Sequence, residues 1–312
     1  MIDVVTLGEA MAMFVAETPG PLESVMRFAK RTAGAETNVA IGLARLGFGV
    51  GWASRLGDDS MARFLLAAIG GEGVDCSRVT RHADERTGFL FKGRVDDGSD
   101  PPIEYHRKGS AASRFGPEHL DEDWVASARH LHVSGVFPAL SASTLAATRR
   151  AMATARAAGR TIGFDPNLRP TLWPSPEAMR ETINDLAAHA DWVLPGIEEG
   201  RLLTGHEAPA AIARFYRERG ARTVVVKLGA DGAYVDDVDA GTGRVPAVAV
   251  ERVIDTVGAG DGFMVGVTSA LLEGLPIDAA ARRGAWIGAR AVQVRGDTEG
   301  LPTRAELQAA RL

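Results

Sequence analysis

The chain has 312 residues, 46% of them hydrophobic and 24% charged, with a formal net charge of −5. That length holds two average domains or one large α/β domain, and the composition excludes a disordered chain. The acid excess argues against bulk attraction to nucleic acid, and the single cysteine, Cys76, excludes an internal disulfide and any multi-cysteine metal site. Only four of the 35 basic residues are lysines (Lys30, Lys92, Lys108 and Lys227), so the place of each one is informative.

In chain order, Asp3 stands where a secretory leader would carry basic residues. Short apolar runs at 4–7, 50–53, 130–133, 161–164, 192–194 and 223–226 read as buried strands. Between them lie amphipathic stretches such as 38–46, stopped by Gly47, and 141–158, stopped by Gly159. This alternation predicts a Rossmann-like α/β fold, a mostly parallel sheet with helices on both faces. Segments 10–16, 87–95 and 103–107 look like strands with no helix following, and 96–100 reads as a turn between the last two. They predict a small β-sheet lid, inserted at about 10–32 and 86–112 of a single domain, with edge strands of the main sheet as the alternative. The longest stretch free of Asp, Glu, Lys and Arg, 130–148, holds Gly135, Pro138 and two histidines, which is wrong for a membrane span. The expectation is a cytoplasmic protein.

The chemistry concentrates at 255–263, between a strand-like run at 248–254 and an apolar helix expected over 259–272. Gly258, Ala259 and Gly260 at a helix start let backbone N–H groups converge into an anion cradle, which the helix dipole reinforces. Asp261 falls in the first turn, where that field is expected to keep its carboxylate ionised. It could then accept a hydroxyl proton while the cradle holds a transferring phosphoryl group. The bland alternative is a glycine turn with Asp261 merely opening a helix. Two rival motifs fail. The dinucleotide fingerprint would need glycine at Phe263, and no lysine follows a glycine as a Walker A loop requires.

The segment 255–261 resembles the C-terminal signature of the ribokinase-like (PfkB-type) carbohydrate kinases. Residues 33–40 (Ala-Gly-Ala-Glu-Thr-Asn-Val-Ala), 43–47 and 55–59 are similar to that family's N-terminal region, in the right order and spacing. The resemblance implies a kinase acting on a sugar hydroxyl with ATP and Mg²⁺, and assembly into a homo-oligomer through lid strands. In some relatives a monovalent cation such as K⁺ binds beside the positions of Asp255 and Thr256. Residues 105–111, 134–141, 165–169 with Leu172 and Trp173, and 295–297 are together similar to the 2-keto-3-deoxygluconate kinases.

By that resemblance Gly34, Asn38, Phe89, Tyr105, Arg107, Arg169, Asp261 and Asp297 meet the sugar acid. Guanidinium groups suit a carboxylate, which they can bind bidentately. Phe89 stands where these kinases often carry tyrosine, so it keeps an apolar wall but loses a hydroxyl. Asn167, Arg169, Lys227, Gly229, Asp231, Gly232, Gly258 and Gly260 are implied for the nucleotide. Glu199 is implied for magnesium through water, although Gly196 replaces the family's asparagine in that motif. Kinases of other sugars (fructose, ribose, 5-dehydro-2-deoxygluconate) and a non-catalytic sugar sensor remain alternatives. His130 and His132 share a strand face and are expected to pack rather than bind metal. Cys76 is expected in a turn and inert.

Overall fold

Apolar runs rich in Val, Ile and Leu are too short for helices and too hydrophobic for a surface, so they pair as buried strands. The computed structural model describes residues 2–95 and 101–311, and the turn expected at 96–100 lies outside them. The strands are β1 (Val4–Leu7), β2 (Met11–Ala16), β3 (Phe28–Ala33), β4 (Val50–Gly57), β5 (Asp75–His82), β6 (Phe89–Lys92) and β7 (Ile103–His106). They continue as β8 (His130–Ser134), β9 (Thr161–Asp165), β10 (Trp192–Val193), β11 (Thr223–Lys227), β12 (Ala233–Asp237) and β13 (Gly241–Val245).

Nine strands form the main sheet in the order β13-β12-β11-β10-β9-β8-β1-β4-β5. The run from β11 to β5 is parallel, and the β12–β13 hairpin adds an antiparallel edge. Alternate residues feed two apolar cores, one on each face. Val225 and Leu194 join one, while Val224, Val226 and Val193 join the other. Helix starts are capped as their sequences foretell: Asp59 Oδ1 accepts from Ala62 N at 2.8 Å and Ser175 Oγ from Ala178 N at 3.2 Å.

The segments expected to form a lid make a separate four-stranded sheet, β3-β2-β6-β7, rather than edges of the main one. Met11, Met13, Val15, Ala33 and Leu90 cluster on one of its faces.

Two expectations are corrected. Residues 248–254 form no strand; they run irregularly, and the Ile254 N–H donates to Val292 O, just past helix Ile277–Ala291, at 2.7 Å. Cys76 lies inside β5, not in a turn. That strand escapes hydropathy reading because Asp75, Ser77, Arg78 and Arg81 are exposed and give no apolar alternation. Burial pushes the Cys76 thiol up to about 11, which agrees with an inert group.

The β11–β12 connection requires glycine at Gly232, where φ is +86° and an added Cβ would lie 2.0 Å from Val245 O. Gly232→Ala should therefore cost about 1–3 kcal/mol, the usual range for a non-glycine residue in such a conformation. Urea unfolding measures it, and an unchanged midpoint would mean that the hairpin rebuilds freely around alanine.

Candidate active site

In a parallel sheet the crevice lies at the carboxyl ends of the strands, where the connections diverge to opposite faces. Here β1 leads to β4 on one side and is paired with β8 on the other. Residues just past these strand ends line a cavity of about 460 Å³: Glu9 after β1, Val136 after β8, Asp165, Asn167 and Arg169 at the end of β9, and Lys227 on β11. The small sheet supplies the opposite wall through Met11, Met13, Leu90, Lys92, Tyr105 and Arg107.

Asp261 sits at the cavity floor in the first turn of helix Ala259–Leu272, which starts where expected. The helix opens at Gly258, whose φ is +86° and whose Cβ position lies 2.7 Å from Asp297 O, so only glycine fits. Asp261 is 8% exposed, and two amides clamp it. Asn38 Nδ2 donates to Oδ2 at 2.7 Å and Asn167 Nδ2 to Oδ1 at 3.2 Å. Asn38 comes from helix Ala35–Arg45, and Asn167 holds a left-handed φ of +38°. Asn38 Oδ1 is buried without a hydrogen-bond partner, an acceptor left over for a ligand hydroxyl.

The expectation that the helix start keeps Asp261 ionised is corrected. Burial, with Asp165 and Asp297 adding repulsion, pushes its pKa up to about 7 despite the Asn38 hydrogen bond. Desolvation outweighs the dipole. A carboxylate poised there is a competent base near neutral pH.

Cationic groups surround it. Lys227 Nζ donates to Asp165 Oδ2 at 2.7 Å; burial opposes this ammonium, but Asp165 and Glu199 outweigh it and raise its pKa. Both Glu199 oxygens accept main-chain N–H groups, Leu168 N at 2.8 Å and Gly196 N at 2.7 Å. Arg169 is exposed at the cavity mouth, its Nη1 on Leu168 O at 2.8 Å, and it makes no ion pair with a carboxylate among the described residues. Arg107 is buried, with Nε 2.6 Å and Nη2 2.5 Å from Glu9 Oε2. Ser110 Oγ also donates to Glu9. Lys92 Nζ lies 2.6 Å from Asp255 Oδ2 and 3.3 Å from Asp297 Oδ1.

Of the residues expected in the site, Gly34, Asn38, Tyr105, Arg107, Asn167, Arg169, Glu199, Lys227, Gly258, Gly260, Asp261 and Asp297 line this cavity. Phe89 does not. On β6 it alternates with Leu90, so it faces the outer side of the small sheet and stacks on His106 with ring centroids 4.6 Å apart. A second cavity, about 660 Å³, holds Gly229, Gly232 and Ala259 with an apolar wall of Val248, Val250, Val253, Phe263 and Val292. Asp231 lines neither cavity; it is exposed on the turn. The two cavities share Lys227, Thr256 and Gly260.

Glu9, Lys92 and Asp165 were not expected. The scarcity of lysine is the one sequence signal for Lys92, and strand-end position the one for Glu9. His130 and His132 are wholly buried with pKa values lowered to about 3 by burial, so both stay neutral. His130 stacks on Trp192, as packing requires. Among the described residues no group of three or more His, Cys, Asp or Glu is placed to hold a metal, and no helix is long and apolar enough to cross a membrane.

The shift at Asp261 has a signed consequence. The folded state holds this proton up to about pH 7, the unfolded chain only to about pH 4. Rising pH between those values therefore removes stability. Asp261→Asn abolishes that loss, and Asn38 can flip to present its unused Oδ1. The Asn variant should melt above the wild type at pH 8 and level with it at pH 3.5; equal melting at both would mean that Asp261 is ionised without penalty.

The pfkB family carbohydrate kinase model matches residues 1–304. A 2-dehydro-3-deoxygluconokinase of Bacillus subtilis (strain 168) is 51% identical over 307 residues, 98% of this chain and 94% of that protein. Among solved structures, a PfkB protein from Polaromonas sp. JS666 has 64% identity and a TM-score of 0.92, covering 99% of this chain and 100% of the other. A putative ribokinase II from E. coli, solved with ATP and Mg²⁺, has 26% identity and a TM-score of 0.91 over 99% and 98% of the two chains.

Proposed function

We propose that this chain, which belongs to the pfkB family of carbohydrate kinases, transfers the γ-phosphoryl group of ATP to the 6-hydroxyl of 2-keto-3-deoxygluconate. The observation that carries the reading is the junction of two unlike cavities at the helix start beside Asp261. One cavity bears Arg107 and Arg169, the other is apolar, and Gly260, Thr256 and Lys227 belong to both. A flat, apolar adenine suits the second cavity and a small anionic sugar the first. The 51% relative carries the same activity in its name.

In this reading Arg107, steadied by Glu9 through Nε and Nη2, turns its remaining N–H edge to the sugar carboxylate. The unpartnered Oδ1 of Asn38 accepts from a sugar hydroxyl. Asp261, fixed between Asn38 and Asn167, takes the proton of the attacking hydroxyl. The backbone N–H at Gly260, which lines both cavities, faces the charge that develops on the transferring group. Lys227 and Arg169 line its path. The residues fit a nucleotide with magnesium. Glu199 lines the first cavity and would meet the ion through water. Magnesium would neutralise the phosphate oxygens when bound.

A second copy of the chain is the proposed partner. The small sheet ends in the edges β3 and β7, and Phe14, Phe28, Phe89 and Phe91 stay half-buried on its outer face. Sedimentation at several concentrations tests it.

An ADP-release assay against a panel of sugars and sugar acids tests the substrate. A clear preference for fructose, ribose or 5-dehydro-2-deoxygluconate would replace the reading, and no acceptor-dependent turnover would favour a sensor. Asp261→Asn should lower kcat by about 10²–10⁴, the contribution of a positioned base, while nucleotide binding survives; near-normal turnover would reduce 258–261 to a structural turn. Arg107→Lys keeps charge but loses the planar fork, so sugar-acid KM should rise by roughly 1–3 kcal/mol equivalent. An unchanged KM would remove Arg107 from the carboxylate site.

A further inference from the structure

One buried charge takes no part in the steps above. Lys92 is 2% exposed, and its ammonium reaches from β6 of the small sheet to two carboxylates of the main body, Asp255 and Asp297, each 6% exposed. Burying an ammonium among apolar side chains is costly, and methionine would fill the same space without that cost. The charge itself must therefore serve these two acids.

Asp255 is the hub of the loop that forms the anion cradle. Its Oδ1 accepts the Val257 N–H at 3.1 Å, and its Oδ2 accepts the Gly296 N–H at 3.4 Å beside the Lys92 contact. One carboxylate thus joins the cradle turn to the segment carrying Asp297. Without a cation, Asp255 and Asp297 would be two buried like charges near a third, Asp261. Burial already raises the pKa of Asp297, Lys92 opposes that shift, and Asp255 adds to it.

This is also where the family resemblance expects a monovalent cation, and the residues present do not fit one. Asp255 Oδ2 already holds a covalently tethered ammonium at 2.6 Å. We propose that Lys92 is a built-in monovalent cation: it holds Asp255, and through it the cradle turn 255–260, in the geometry that binds phosphate, so the chain needs no mobile potassium ion there. Lys92 is a positioning residue. The inference rests on the kinase reading only for the statement that the cradle holds phosphate.

The test compares potassium, ammonium and choline salts at equal ionic strength, reading nucleotide affinity by calorimetry and turnover by ADP release. Wild-type values should be the same in all three. Lys92→Ala, which opens the space, should lose about 10–100-fold in choline, the usual effect of removing a group that orients an ion site, and recover in ammonium or potassium. Lys92→Met, which fills the space without charge, should lose as much and not recover. Stimulation of the wild type by potassium would overturn the proposal outright, whether or not the variants fold. So would a Lys92→Ala enzyme that works equally well in every salt. If no sugar turns over while nucleotide affinity follows the expected pattern, the substrate assignment fails and the built-in cation stands.

Discussion

A carboxylate taken out of water must recover its lost hydration from neighbours, and Asp261 recovers it incompletely. Two amides and a helix start stabilise its charge, while burial and two nearby acids oppose it, leaving the group balanced near neutrality. Much of the surrounding architecture follows from keeping that balance. Asn38 must arrive from the helix after β3, Asn167 must adopt a left-handed conformation after β9, and Gly258 must let the helix begin against Asp297. They meet at the carboxyl edge of the main sheet by different routes: Asn167 follows β9 of that sheet, Asn38 enters after β3 of the small sheet, and Gly258 follows the irregular stretch 248–254.

The same economy governs the other charges in the cavity. Arg107 is paired with Glu9 and Lys227 with Asp165, and Lys92 is shared by Asp255 and Asp297. Each buried cation is matched to an acid, so none is stranded. Arg169 differs: exposed and without an ion-pair acid among the described residues, it is the cation most open to an arriving anion.

Sequence reading located the parallel strands because fully buried strands are continuous apolar runs, and located the helix start at 258–260 because glycine there has a backbone reason. It missed β5, whose outward residues are charged, and read 248–254 as a strand, since an extended apolar stretch lining a cavity carries the same hydropathy as one in a sheet. Phe89 was placed one residue out of phase with the cavity: alternation along β6 turns Leu90 and Lys92 inward and Phe89 outward, and a family position alone does not fix that parity. Glu9, Asp165 and Lys92 were invisible as partners because ion pairs between residues 62 to 205 positions apart are products of the fold. The rise in the Asp261 pKa belongs to the same class, since burial is a tertiary property.

The cavity has two walls of different origin. Strand ends of the main sheet bring Asn167, Lys227 and the loop before Asp261, while the small sheet brings Met11, Met13, Leu90 and Tyr105. The second wall lies outside the ladder that holds the first in register, and two of its members are thioethers, which repack readily around a new shape. Evolutionary change can therefore be divided between them. Substitutions on β2, β6 and β7 can reshape one wall of the cavity while the strand ends around Asn167 and Lys227 keep their spacing. A fold arranged in this way can change the shape of its cavity from one side without disturbing the spacing of the other.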